Sequence, residues 1–214
     1  MPTLKKIHAI LGVISAIYPK TTNTLKVIGA LYILKKLLSI LASLYRTILR
    51  PRKNLTKRYG SKSWALVTGS TEGIGRAFAF ELARMGFNII ICARTKSKLE
   101  STSAELKSKY PEIQVEFKVI DFGDSARPDY LVAALEDLFK LNISVLINNV
   151  GVDVLDYYHN LSEQQINKLI HINCTAMSQL CRMFIPRFRE RYEGTHQKSA
   201  IVNVTSLAGI AEHI

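Results

Sequence analysis

No aspartate or glutamate occurs in the first 71 residues, which carry 13 lysines and arginines. Residues 72–214 hold 16 basic and 17 acidic side chains, so the formal charge of +12 resides on the N-terminal segment. A near-neutral globular part argues against nucleic acid as a partner. A basic stretch rich in Leu and Ile points instead to a membrane surface or an organelle import signal. Cysteine is scarce as well. Cys92, Cys174 and Cys181 form no C-x-x-C pair and fall in apolar runs, where a reduced thiol behaves as a small hydrophobe. They are expected in the core, with no metal site and no disulfide. The N-x-S/T triplets at Asn142, Asn173 and Asn203 fall inside predicted strands or helices and read as chance matches. No internal repeat or low-complexity tract is present. A length of 214 residues suits one domain plus an appendage.

Also lacking is an uninterrupted apolar run of the roughly 18 residues that an ordinary membrane span needs. Ile7 to Pro19 is uncharged but short, and Lys35–Lys36 interrupts the second run. On a wheel of about 100° per residue, residues 32–49 gather Lys35, Lys36, Ser39, Ser43 and Arg46 on one side. Leu34, Leu37, Leu38, Leu41, Leu44 and Ile48 fill the other. That pattern predicts an amphipathic helix lying in a lipid headgroup layer, and residues 1–53 as a whole are expected to contact a membrane surface. An apolar stripe packed on the protein's own domain is the alternative. Freedom from acidic residues also suits a mitochondrial presequence, although such segments are usually richer in Arg and Ser. Arg50-Pro51-Arg52-Lys53 should stop the helix, and 54–62 reads as a polar linker. The boundary is drawn between 1–62 and 63–214.

From Trp64 the chain alternates short apolar runs with helical periodicity. Strands are predicted at 64–69, 87–93, 115–120, 144–148 and 199–206, and helices at 76–86, 96–110, 128–140 and 162–187. The strands are too apolar to have a wet face, which implies a parallel sheet covered on both sides. The fold class is α/β, a Rossmann-like doubly wound sheet of strand order 3-2-1-4-5.

At the first strand-to-helix junction stands Thr68-Gly69-Ser70-Thr71-Glu72-Gly73-Ile74-Gly75. Missing side chains there let the backbone approach a pyrophosphate, and the helix start offers N–H donors and a positive dipole end. Gly69, Ser70, Gly73, Ile74 and Gly75 are therefore candidate cofactor residues, unless the glycines only make a tight connection. The second strand ends Ala93-Arg94-Thr95-Lys96, with no acid where a ribose 2′-hydroxyl would be held. A carboxylate would repel a 2′-phosphate and a guanidinium would bind it, so NADP(H) is favoured over NAD(H). The plain alternative makes Arg94 a solvated residue at a helix start.

The spacing T-G-x-x-x-G-x-G resembles the short-chain dehydrogenase/reductase family, and further matches follow in order. Asn148-Asn149-Val150-Gly151 resembles the family's N-N-x-G signature, which implies that Asn148 and Gly151 belong to the cofactor region. Asp121 resembles the family's adenine-contacting acid, though a turn-capping Asp fits its position equally. Asn173 matches the helix Asn that shapes the active site, and Ser206 the catalytic Ser that hydrogen-bonds the substrate carbonyl. Over nearly all of 64–214 the chain resembles the branch containing 17β-hydroxysteroid dehydrogenases and very-long-chain 3-oxoacyl-CoA reductases. That branch includes inactive, mitochondrial hydroxysteroid-dehydrogenase-like members.

The resemblance implies hydride transfer between nicotinamide and a carbonyl/alcohol pair, with a Tyr acid/base tuned by a Lys four residues on. That pair would begin at about residue 219, beyond Ile214. Two expectations follow. One is a non-catalytic subunit that still binds nucleotide, tethered to a membrane assembly, with a protein partner covering the fifth strand. The other is part of a membrane-anchored NADPH-dependent reductase of a fatty-acyl or steroid carbonyl. The mitochondrial inner membrane and the endoplasmic reticulum are the expected locations.

Overall fold

The computed structural model describes residues 2–17, 19–49, 54–127 and 129–206. The chain divides into two units, Met1–Arg52 and Lys53–Ile214. The first is helical: α1 spans Pro2–Ile17 and α2 spans Pro19–Leu44, continuing into a π turn over Tyr45–Leu49. No described side chain of this unit is buried, and Leu31, Leu34, Leu38, Leu41 and Ile48 are all exposed. The stretch Asn23–Leu49, 27 residues, is long and apolar enough to cross a membrane by length and composition. At 1.5 Å per residue it spans about 40 Å. The polar side expected over 32–49 is not continued toward the helix start, because Lys26 lies on the side of Leu37 and Leu44. The expected stop at 50–53 lies outside the described residues.

The predicted linker 54–62 contains a short helix, α3 (Leu55–Tyr59). Asn54 Oδ1 accepts from Lys57 N at 2.8 Å, capping it, and Leu55 and Tyr59 pack against the sheet. Five parallel strands follow: β1 Trp64–Thr68, β2 Asn88–Ala93, β3 Val115–Val119, β4 Ile143–Asn148 and β5 Ala200–Asn203, in the order β3-β2-β1-β4-β5. Every residue of β1, β2 and β4 is buried, as continuous Val/Ile/Leu runs require when both faces are covered. Alternation sorts them into two cores. Val67, Ile89 and Ile91 face α4 (Gly73–Arg84) and α5 (Lys96–Lys109); Leu66, Ile90 and Leu146 face the opposite layer.

That opposite layer departs from expectation. In place of one helix over 128–140 there is a 3-10 turn at Phe122–Ala126, α6 at Tyr130–Leu135 and a 3-10 turn at Glu136–Leu138. The long helix predicted at 162–187 starts with a Ser162–Gln165 capping box but is composite: α7 (Glu163–Ile170), a π turn (His171–Thr175) and α8 (Ala176–Thr195). It continues past Pro186, which is exposed. Strand β5 is four residues long rather than eight, and beyond it Val204 N donates to Asn148 O at 2.9 Å.

Only Cys92 occupies the core as expected of all three cysteines. Its burial pushes the thiol up to about 12, with Lys118 opposing weakly. Cys181 is half-buried and Cys174 exposed.

At the end of the sheet opposite the strands' carboxyl ends, Arg191 ties three segments together. Its guanidinium donates to Tyr59 O (2.5 Å), Asn142 Oδ1 (2.7 Å) and Lys198 O (2.8 Å). It also donates to Gln197 O and Oε1, all neutral acceptors, and burial lowers its pKa from the ordinary arginine value.

Candidate functional site

The carboxyl ends of β1, β2 and β4 carry the sequence motifs, and the chain there is folded around Thr68. Thr68 Oγ1 accepts from Asn149 N (2.9 Å) and Val150 N (3.0 Å). Asn149 Nδ2 in return donates to Thr68 O (3.0 Å) and Gly69 O (3.2 Å). Two strand ends are thus locked edge to edge. Gly69 has φ +62, and a Cβ on it would stand 3.0 Å from Val150 Cα. Gly75 lies closer still, since a Cβ there would meet Gly69 O at 2.2 Å and Asn149 Nδ2 at 2.4 Å. Helix α4 can approach the strand only because that side chain is missing. Gly73 begins the helix, and Arg76 N is the first amide of α4 to find an acceptor, at Glu72 O. A helix start of this kind directs N–H groups and a positive dipole end outward.

Beside this turn lies a cleft of about 360 Å³ bordered by Gly69, Thr71, Glu72, Gly73, Arg94, Lys98, Asp121, Asn149 and Gly151. A second, of about 630 Å³, shares Asn149 to Val152 and adds Ile74, Asn173, Met177, Val204 and Ser206. Asn173 sits in the π turn. Its Oδ1 accepts from Val152 N and its Nδ2 donates to Val152 O, both at 2.9 Å, so the amide fixes the loop between the two clefts.

Nine of the eleven expected residues therefore border a cleft or, as Gly75 does, allow its backbone to close up. Two do not. Ser70 is buried, with Oγ donating to Cys92 O at 3.4 Å, and it ties the turn to β2. Asn148 is buried between β4, β5 and α8, where Nδ2 donates to Asn203 Oδ1 at 2.9 Å and its Oδ1 has no partner. Its neighbour Asn149 faces the clefts instead. Asp121 caps the following 3-10 turn by accepting from Gly123 N (2.9 Å), and it also borders the first cleft.

Lys96, expected beside Arg94, is 3.7 Å from Glu100 and does not border the cleft. Lys98 does, and it pairs with Glu72 on the Gly-rich turn. The hydrogen bond and charge of Lys98, with a smaller contribution from Arg94, hold the Glu72 carboxyl below the usual carboxylate range. The cleft is thus bordered by glycine-opened backbone, by the cations Arg94 and Lys98 and by the carboxylates Glu72 and Asp121. That arrangement fits an anionic dinucleotide, and β2 ends in Arg94 where an acid would select an unphosphorylated ribose.

Comparison with known proteins agrees with this geometry. The sequence profile described as short chain dehydrogenase matches residues 63–214. Hydroxysteroid dehydrogenase-like protein 1 of Gallus gallus is 37% identical over 193 residues, covering 86% of this chain and 55% of the relative. A very-long-chain 3-oxoacyl-CoA reductase-like protein of Arabidopsis thaliana is 38% identical over 188 residues, covering 86% and 56%. The chain spans about half the length of the curated relatives it matches. Among solved structures, a short-chain dehydrogenase from Sphingobium yanoikuyae in complex with NADPH superposes with TM-score 0.62 at 32% identity, over 71% of this chain and 56% of that one. L-sorbose reductase from Gluconobacter frateurii, complexed with NADPH and L-sorbose, gives 0.61 at 25% identity, over 70% and 54%. With the family profile matched over 63–214 and relatives above 30% identity, the chain belongs to the short-chain dehydrogenase family.

Proposed function

We propose that residues 63–214 bind NADP(H) in the first cleft and receive a carbonyl substrate in the second, as the cofactor half of a membrane-associated reductase. The observation that carries this is the end of β2: it holds Arg94 and no acid, and Arg94 borders the cleft that the glycine turn opens. Gly69 and Gly73 would let the backbone and the α4 start hold the pyrophosphate, and Arg94 the 2′-phosphate. When bound, the nicotinamide supplies or accepts hydride. Asn173 fixes Val152 between the clefts, and the Ser206 hydroxyl would donate to the substrate oxygen. Ile74, Val152, Met177 and Val204 make the second cleft partly apolar, which suits a fatty-acyl or steroid carbonyl, the substrate classes in the names of several relatives.

Residues 63–214 contain no Tyr followed by Lys at the fourth position. Turnover is therefore expected only where the same chain or a partner adds such a pair, since general acid catalysis contributes roughly 10²–10⁴-fold. A further strand, from either source, would also cover the outer edge of β5.

Calorimetric titration of the purified chain with NADPH and NADH tests the core of the proposal. NADPH should bind at least tenfold tighter, and Arg94→Leu should cut that preference by about tenfold or more, since a charge-assisted hydrogen bond is worth about 1.5–3 kcal/mol. Failure to bind either nucleotide would sink the reading. Turnover by a form that includes a Tyr-x-x-x-Lys segment separates a reductase from a nucleotide-binding subunit. For residues 1–53, vesicle flotation should be lost on their deletion; unchanged flotation would refute a membrane role, and fractionation of the endoplasmic reticulum from mitochondria decides the compartment.

A further inference from the structure

Glu72 and Lys98 reach the border of the cofactor cleft from two different elements. Glu72 precedes α4 on the Gly-rich turn, Lys98 lies in the first turn of α5, and both border the cleft that Arg94 borders. They form an ion pair at its border. A residue in the position of Glu72 ordinarily turns its carboxylate back onto the helix amides; here it makes no such bond and is directed to Lys98 instead. Lys98 has no other acid among the ion pairs of the described residues, whereas Lys96, two residues earlier, faces Glu100 on its own helix.

A 2′-phosphate held by Arg94 would enter a space whose rim already carries the Glu72 carboxylate. Dianion and carboxylate repel, and the cation already paired with that carboxylate at the cleft is Lys98, a point charge on a flexible stem. We propose that Glu72 and Lys98 set nucleotide selectivity together: Lys98 is a second ligand for the 2′-phosphate, and Glu72 occupies its ammonium until the phosphate displaces it. The inference rests on the nucleotide reading above. On this account Glu72 acts as an internal competitor, lowering affinity for the phosphorylated nucleotide without touching the unphosphorylated one.

Two probes isolate the group concerned: adenosine 2′,5′-bisphosphate and 5′-AMP differ only in the 2′-phosphate. Binding of each to the full chain is measured by ligand-observed NMR for the wild type, E72Q, K98Q, the double variant and K96Q. E72Q should bind the bisphosphate roughly fivefold tighter, the upper range for an exposed ion pair, with 5′-AMP within about twofold. K98Q should weaken the bisphosphate about tenfold or more in both the wild-type and E72Q backgrounds, as loss of a charge-assisted phosphate contact does. K96Q should change nothing. If K98Q acts only when Glu72 is present, Lys98 merely shields that carboxylate and the proposal is overturned. An unchanged bisphosphate-to-AMP ratio in E72Q overturns it too. Because all these side chains are exposed, circular dichroism should show each variant folded. A wild type that binds NADPH selectively, with a ratio unmoved by E72Q and K98Q, defeats this inference alone; a wild type that binds no nucleotide defeats the underlying reading first.

Discussion

Leu38 in α2 and Leu146 in β4 are the same side chain in two environments, the first 57% exposed and the second fully buried. The contrast extends to whole units. Residues 64–206 stabilise their elements by burying apolar faces between sheet and helices, whereas the described part of 1–52 presents aliphatic side chains outward along two helices. Large exposed apolar surface on a soluble chain marks a contact with something else. What the difference teaches is that one residue vocabulary folds the second unit by burial and, in the described part of the first, is left exposed on helices, as the proposed membrane role would require.

Matched substitutions put that contrast at risk. Leu146→Ala should cost about 3 kcal/mol in the urea transition of the sheet unit, the usual cost of a core cavity. Leu38→Ala should move that transition by less than about 0.5 kcal/mol. Equal shifts from the two would show that α2 is packed on the sheet unit in solution. A smaller pair concerns glycine. Gly75→Ala must push backbone apart, since its Cβ would meet Gly69 O at 2.2 Å, and should cost about 2–3 kcal/mol together with nucleotide affinity. Gly29→Ala has nothing within 4 Å and should raise helicity by circular dichroism, with a gain of up to about 1 kcal/mol in α2. A loss from Gly29→Ala would reveal an unseen close contact.

Acid supplies the smallest effect. Lys118 holds Asp137, and Lys98 holds Glu72, below their ordinary values of 3.8 and 4.5. A depressed carboxyl stabilises the folded state above its ordinary value, and that stabilisation is lost as pH falls below it. Both groups are exposed and screened, so the sheet unit should weaken only slightly below about pH 4.5. Residues 1–52 contain no carboxylate side chain, so their helicity should not respond; acid melting of α2 would break the contrast.

Strand order, the glycine turn and Arg94 were legible in the sequence because each rests on a local pattern: continuous apolar runs, small residues at a strand-to-helix junction, a missing acid. What escaped depended on phase or on distant partners. Lys98 rather than Lys96 reaches the cleft because the helix turn points them differently, and neighbouring lysines look alike in sequence. Asn149 rather than Asn148 faces the clefts because Asn148 pairs in register with Asn203. Cys174 was within reach: it is two residues from both Ile172 and Ala176, which are buried, and so lies on the opposite face. The π turn that carries Asn173 and the short α3 leave too little periodicity to read.

Arg191 bears on how the molecule comes apart. Its bond to Tyr59 O joins residues 132 positions apart, and its other bonds reach the start of β4 and the approach to β5. Loop-closure entropy makes so distant a contact late to form, so the stabilisation it gives falls on the unfolding rate and not on the folding rate. Helix α3 and the approaches to β4 and β5 are thus fastened at one guanidinium, whose whole contribution to stability is expected to read out as slower unfolding.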